Sequence, residues 1–245
     1  MKNYTYMSFL GLILLLSVSL GFPKYISAQS MEVTEQAIAT DRLGDANDLN
    51  AVVRSYDNRY EGLRGDPLAF EVNGSGVVYT TGGNKKKFQV MNYEAYSHEV
   101  TTWNNGKMEY LPKGMIESFW MLNNGTEDTL FFKKFTSRED NQVFFGQVLY
   151  EGQVTYIKKY EKYIQKADYQ GTYSPGKNYD EFKDRVKFFA VDQRGNMTMF
   201  KPNKKGLESL FPGKQSELKT YLKKNKPDLK SNKELIEVIS AFAGE

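Results

Sequence analysis

The residues of this chain that could do chemistry are few and scattered. His98 is the single histidine and there is no cysteine, which excludes a thiolate nucleophile, a zinc–thiolate site, an iron–sulfur cluster and a disulfide. A Ser-His-Asp triad would need His98, but no serine stands in a Gly-x-Ser-x-Gly turn. We therefore interpret His98 as a strand residue and predict no catalytic residue, no metal site and no cofactor.

Paired carboxylates are the remaining route to acid–base chemistry, as in glycoside hydrolysis. Five acids are candidates, and each lies near a predicted turn or among lysines, where a solvated charge is the usual state. They are Glu117, Glu127, Asp128, Glu139 and Asp140. A carboxylate-based hydrolase stays open as an alternative, and it requires two acids roughly 5–10 Å apart in one cleft, at least one of them in an apolar setting.

Two clusters of side chains are candidate binding surfaces. Exposed tyrosines form good sugar- or peptide-binding surfaces, although such rings also pack over sheets. The tyrosine surface consists of Tyr160, Tyr163, Tyr169, Tyr173 and Tyr179. Lysines near a predicted C-terminal helix could form a basic patch for an acidic partner or anionic lipid, or simply a solvated helix face. This patch consists of Lys219, Lys223, Lys224, Lys226 and Lys230.

The first 28 residues have the pattern of a secretory signal peptide. Lys2 precedes an apolar run at 9–20, and the small residue Ala28 stands before Gln29. The run is shorter than the roughly 20 residues that span a bilayer, which favours cleavage over an anchor. We expect an exported protein that is periplasmic, associated with the outer membrane or secreted, and that has no transmembrane segment after cleavage.

The charge balance argues against nucleic acid as a partner. The full chain carries a formal net charge of +3, which falls to about +1 when Lys2 and Lys24 leave with the signal peptide. The two ends are oppositely biased, because residues 32–70 are rich in acids and residues 201–245 are rich in lysine.

Hydrophobic periodicity predicts an α+β fold that is mostly β. Residues 29–66 form an acidic N-terminal lead-in that we expect to be partly flexible. Residues 67–200 hold short strands separated by Gly/Asn turns, such as 82–84 and 104–106, which predicts an antiparallel β-meander forming a curved sheet, a sandwich or an open barrel. Within it, alternation over 86–93 places Phe88 and Val90 on one face. Residues 201–245 change to a helical period and predict two or three helices that pack on the sheet.

Several segments together resemble a group of uncharacterised exported proteins of Bacteroidota. They are Tyr-Asp-Asn-Arg-Tyr-Glu-Gly-Leu-Arg-Gly-Asp-Pro-Leu-Ala-Phe at 56–70, Lys-Lys-Tyr at 158–160 through Tyr-Asp-Glu-Phe at 179–182, and Glu-Leu-Lys-Thr-Tyr-Leu-Lys-Lys-Asn-Lys at 217–226, followed by Leu229 and Lys-Glu-Leu-Ile at 233–236. The resemblance implies a Gram-negative envelope setting and a β-meander with a Lys-rich helical end, and it supplies no site residues.

These observations predict a non-enzymatic envelope protein that acts by binding a protein partner or a small ligand. One alternative is a carrier that holds an apolar or lipid-like ligand in a half-open sheet, which predicts a cavity lined by Phe and Tyr. The hydrolase is a second alternative, and a structural subunit of an outer-membrane assembly is a third.

Overall fold

The computed structural model describes residues 54–55, 59–168 and 178–243. These residues form one antiparallel sheet of eleven strands, which confirms the predicted fold class. The strands are β1 Arg54–Ser55, β2 Gly74–Thr80, β3 Lys85–Glu94, β4 Glu99–Asn104, β5 Lys107–Leu111, β6 Ile116–Asn123, β7 Asp128–Thr136, β8 Val143–Tyr150, β9 Thr155–Gln165, β10 Glu181–Val191 and β11 Met197–Phe200. The predicted signal peptide, 1–28, and most of the predicted lead-in, 29–66, lie outside the described residues.

The strand order shows how the meander is laid out. Across the sheet it reads β1-β5-β4-β3-β2-β6-β7-β8-β9-β10-β11, so the chain runs outward from β2 to β5 and then returns to pair β6 with β2. From β6 onward each strand pairs with the next along the chain. The short β11 pairs only with the last four residues of β10, and Arg64 bridges the start of β10 at Glu181, so no described strand covers the outer edge of β10 from Lys183 to Lys187.

The predicted hairpin turns form where the sequence offers residues that tolerate positive φ. Asn105 and Gly106 have φ of 50° and 75° and join β4 to β5, as a type I′ turn requires. Gly83 and Gly195 play the same part in the turns before β3 and β11, with φ of 81° and 78°.

Strand β3 departs from simple alternation. Its ladder with β2 pairs Gly76 with Phe88 but Gly74 with Met91, so β3 contains one extra residue, a β-bulge. The expected grouping of Phe88 with Val90 is therefore wrong: Phe88 and Met91 are buried, whereas Val90 is 37% exposed.

The sheet curls without closing. The turn after β3 reaches β9, where the Lys162 backbone N–H donates to the Ala95 carbonyl oxygen over 3.1 Å. Tyr93 near the end of β3 reaches β8, because the Phe145 N–H donates to its hydroxyl over 3.3 Å. An aromatic core fills this curl, and in it Phe119 and Phe132 stack with their ring centroids 4.6 Å apart.

Three helices follow the sheet, as the change of period predicts. They are α1 Lys204–Leu210, α2 Gln215–Asn225 and α3 Asn232–Ala243. The Asn203 side chain caps α1 by accepting from the Gly206 N–H. The buried sides of the helices pack against the sheet in one hydrophobic cluster, which includes Tyr156, Phe200, Leu207, Leu218, Leu235 and Phe242.

The two faces of β9 contact different parts of the protein. Tyr156 packs under the helices and Tyr160 packs against the aromatic core, so this face is the hydrophobic side. Successive strand residues point to opposite faces, so Ile157, Lys159 and Glu161 lie on the other side. That second face carries the candidate site.

Candidate functional site

A cavity of about 320 Å³ lies on the Lys159 face of β9 and β10. The loop 137–142 and the turn that contains Tyr96 and His98 contribute its walls. The lining consists of Tyr96, His98, Ser137, Arg138, Glu139, Asp140, Gln142, Phe144, Lys159, Glu161, Lys162, Arg185, Lys187, Phe189 and Met197. Ionisable side chains dominate this list, so the cavity is a polar site rather than a hydrophobic one.

Glu161 is the centre of the ionic network in the cavity. Its carboxylate lies 2.9 Å from Lys159 Nζ, 3.0 Å from Arg185 Nε and 3.0 Å from Lys187 Nζ. The strand register explains this convergence, because Glu161 is directly opposite Arg185 and Lys159 is directly opposite Lys187. Burial opposes ionisation of Glu161, but its hydrogen bonds to Lys159 and Lys187 outweigh burial and hold the pKa of the carboxyl below its usual value.

The charges in the lining do not balance. The lining has five cations, Arg138, Lys159, Lys162, Arg185 and Lys187, and three acids, Glu139, Asp140 and Glu161, while Asp184 outside the lining pairs with Lys162. Arg138 is held at the rim by the Asn196 side chain and the Arg194 carbonyl oxygen. The cavity therefore has an excess of positive charge before any ligand is considered.

His98 enters the cavity as a neutral side chain. It lies in a tight turn with φ of 59°, so the expectation that it belongs to a strand is wrong. Burial, and then the neighbouring Lys159 and Lys113, lower the pKa of His98 to about 4. The Tyr93 hydroxyl lies 2.8 Å from His98 Nδ1 and also accepts a hydrogen bond from the Phe145 N–H over 3.3 Å.

Lys159 is the most confined cation of the site. Its residue is 6% exposed, and its Nζ donates to Gln142 Oε1 over 3.1 Å in addition to pairing with Glu161. The same ammonium lies 4.2 Å from the centroid of the Phe144 ring, a cation–π distance. Glu161, Gln142 and Phe144 thus hold Lys159 in place from three directions.

A pair of buried carboxylates lies elsewhere, at the β3–β4 turn. Glu94 and Glu99 are directly opposite in the ladder, and Ser97 Oγ lies 2.7 Å from Glu94 Oε1 and 2.9 Å from Glu99 Oε2. The Tyr60 hydroxyl donates to the same Glu94 oxygen, and Arg59 pairs with Glu99. Glu94 is fully buried and neither carboxylate lines the cavity described above. One serine hydroxyl therefore bridges the two carboxylates, outside the cavity.

The five acids singled out in the sequence are all exposed. Glu139 and Asp140 reach the rim of the cavity, and the other three lie at strand ends and turns. The Ser137 side chain and the Gln142 N–H lower the pKa of Asp140. This arrangement suits a solvated loop carboxylate.

The structure separates the candidate tyrosines it describes. Tyr160 is on the hydrophobic face of β9 and donates to Gln147 Oε1 over 2.8 Å, whereas Tyr163 is on the opposite face and 40% exposed. Tyr179 lies before β10 with the Arg64 guanidinium 3.6 Å from its ring centroid. Tyr169 and Tyr173 lie outside the described residues. Tyr160 and Tyr163 therefore cannot contact one ligand on the same face.

The candidate lysine patch is solvent-exposed throughout. Lys219, Lys223 and Lys224 belong to α2, Lys226 is its C-cap in the left-handed region with φ of 47°, and Lys230 precedes α3. We call these five residues the basic helix surface.

Comparison with known proteins finds no counterpart for the chain: no family model, curated protein or solved structure matches it. The resemblance to exported Bacteroidota proteins accordingly stays a prediction. Among the described residues there is also no cluster of three or more acids and histidines able to hold a metal ion.

Proposed function

We propose that this protein is exported and acts by binding a small organic anion in the cavity beside β9 and β10. The observation that carries the proposal is the gathering of Lys159, Arg185 and Lys187 around the single carboxylate of Glu161. One carboxylate cannot neutralise three cations, and Arg185 and Lys187, which are partly exposed, remain accessible to a ligand. An anionic ligand supplies the missing negative charge.

The rest of the lining indicates what the anion carries. Phe144, Phe189 and Met197 give the cavity an apolar wall, and His98 offers a neutral imidazole. Ligand sites commonly combine apolar walls with a few converging polar groups, and they are rich in ionisable residues with shifted pKa values. A carboxylate, sulfonate or phosphate joined to an aromatic or aliphatic group fits this combination.

The aromatic anion 8-anilinonaphthalene-1-sulfonate is a suitable probe, and its uncharged analogue N-phenyl-1-naphthylamine is the matched control. We expect fluorescence titration to show the sulfonate binding at least tenfold more tightly than the neutral compound. A Lys187→Gln variant should weaken sulfonate binding about tenfold, because one charge-assisted contact is worth more than 1 kcal/mol.

The matched control variant is Lys107→Gln, which removes an exposed lysine at the turn between β4 and β5, and it should bind as the unaltered protein does. Equal binding of the neutral and charged probes would contradict the anion site and favour the carrier of an apolar ligand. If neither probe binds, both the anion site and the carrier of an apolar ligand are contradicted.

Export is the second part of the proposal and is supported by the pattern of residues 1–28. Peptide sequencing of protein recovered from the cell envelope should give an N-terminus at Gln29. A start at Met1 would contradict cleavage. The envelope setting implied by the resemblance to Bacteroidota proteins agrees with this location.

A further inference from the structure

The basic helix surface is the strongest charged feature outside the cavity. Residues 214–230 contain six lysines and only two acids, Glu217 and Asp228. The five lysines of the surface are all exposed, and none of their ammonium groups forms an ion pair or hydrogen bond with another side chain among the described residues. Lys214 is different, because its ammonium donates to the Phe242 carbonyl oxygen.

The opposite side of α2 fixes the direction in which these lysines point. Leu218 is fully buried, and Tyr221 packs edge-on against Phe242 of α3 with ring centroids 5.5 Å apart. Lys219 and Lys223 are one turn apart, so they share a helix face that leads away from this seam. The apolar side of α2 therefore packs against the protein, and its lysines point toward solvent, where a partner can reach them.

The side chains around the basic helix surface indicate which class of partner it could bind. Protein interfaces need exposed apolar or aromatic anchors, yet the large hydrophobic side chains exposed among the described residues all lie outside the three helices. Single-stranded nucleic acid needs rings for stacking, and Tyr221 is occupied by Phe242. A bilayer surface with anionic headgroups needs neither, since it attracts lysines by charge alone.

The type of cation agrees with this partner. Residues 195–245 contain no arginine, so the planar fork that recognises individual phosphates or carboxylates is missing. Lysine is a compact point charge, which suits a diffuse array of headgroups better than one shaped site. No helix among the described residues is both apolar enough and long enough to cross a bilayer.

We propose that the basic helix surface binds the anionic lipid headgroups of a membrane. The protein would lie on the bilayer with α2 against it, held by electrostatic attraction. Each lysine near such a surface contributes about fivefold to the partition coefficient, so three contribute about 100-fold. This proposal does not depend on the anion cavity.

Partitioning of the full chain onto vesicles tests the proposal. Two vesicle types are compared, phosphatidylcholine alone and phosphatidylcholine with about one-third phosphatidylglycerol, and the readout is the ratio of the two partition coefficients. Any insertion of the apolar run 9–20 raises both coefficients and cancels in the ratio. We expect a ratio of about 100 or more that falls steeply with added salt.

Three triple variants supply the matched comparison. Lys219→Gln, Lys223→Gln and Lys224→Gln together should lower the ratio about 100-fold, whereas arginine at the same three positions should keep it. The control replaces Lys85, Lys87 and Lys107 with glutamine, an equal charge change on exposed strand-end and turn residues, and should change the ratio less than twofold.

A ratio near one for the unaltered protein, or equal losses in the two glutamine variants, would overturn the proposal. So would tighter binding of the unaltered protein to polyadenylate or to an acidic peptide than to the anionic vesicles at the same salt concentration.

Discussion

Replacing Glu161 with glutamine should lower the stability of the protein and strengthen its binding of anions. The pair with Lys159 is buried, with side chains 9% and 7% exposed, so breaking it leaves a confined cation without its partner. Such a loss costs about 3 kcal/mol at pH 7. Arg185 and Lys187 add little to this figure, because their side chains are 51% and 33% exposed and water screens them.

The pH dependence of this loss has a definite sign. The pKa of Glu161 is lowered in the folded protein, so its stabilising effect is present above the unfolded value of about 4.3 and is lost as the pH falls through the folded value. Below that point Glu161 is protonated and resembles glutamine. The difference in stability between the two proteins should therefore shrink as the pH is lowered from 7.

Urea denaturation of both proteins at pH 7 and at about pH 3 measures this difference, and sulfonate titration at pH 7 measures the anion affinity. The control is Glu139→Gln, which removes an exposed carboxylate from the rim of the same cavity. A loss below about 1 kcal/mol at pH 7, or a loss that is the same at both pH values, would refute the role assigned to the Glu161 network. Because the Glu161 carboxylate repels an anion and occupies the same cations, weaker anion binding by Glu161→Gln would refute the proposed anion site.

Two further changes test the buried polar groups. Burial, and then Lys159, lower the pKa of His98 to about 4 in the folded protein, compared with about 6.5 in the unfolded chain. Between these pH values the unfolded chain binds a proton that the folded protein does not, so lowering the pH from 6.5 to 4 should lower the free energy of unfolding by about 3 kcal/mol. Asparagine tolerates the positive φ at this position, so His98→Asn should remove this pH dependence of the free energy of unfolding, measured by urea titration at pH 4.5 and 7.5. An unchanged pH dependence would contradict the role assigned to His98. Tyr60→Phe removes the hydroxyl that donates a hydrogen bond to buried Glu94, and it should lower the free energy of unfolding by about 2 kcal/mol. The control is Tyr163→Phe at an exposed tyrosine, which should lower it by less than 0.5 kcal/mol. Equal effects would show that the Tyr60 hydrogen bond does not contribute to stability.

The parts of the fold that the sequence predicts are those specified by short segments. Asn105-Gly106 sets a hairpin turn by its own backbone preference, and the change of period after Pro202 marks the helices. The bulge in β3 was missed, because an extra residue is defined only by the partner strand. The turn at His98 was missed for a similar reason, since the polar run around it also fits a strand.

The candidate site depends on register, which the sequence does not specify. Lys159 and Glu161 stand two residues apart in β9, and the alternation of side chains along a strand shows that they share a face. Their meeting with Arg185 and Lys187 requires β10 to pair with β9 at one particular offset. The same alternation could have shown that Tyr160 and Tyr163 lie on opposite faces.

Two of the cavity cations also lie along the part of the outer edge of β10 that no described strand covers. An uncovered strand edge is a template on which another copy of the chain can add a strand, and charged side chains along it discourage such pairing. Lys183 and two of the cavity cations, Arg185 and Lys187, stand at every second position of this edge, before the stretch that β11 covers. Changes that neutralise Arg185 and Lys187 should therefore also weaken the protection of this edge against strand addition by another copy of the chain.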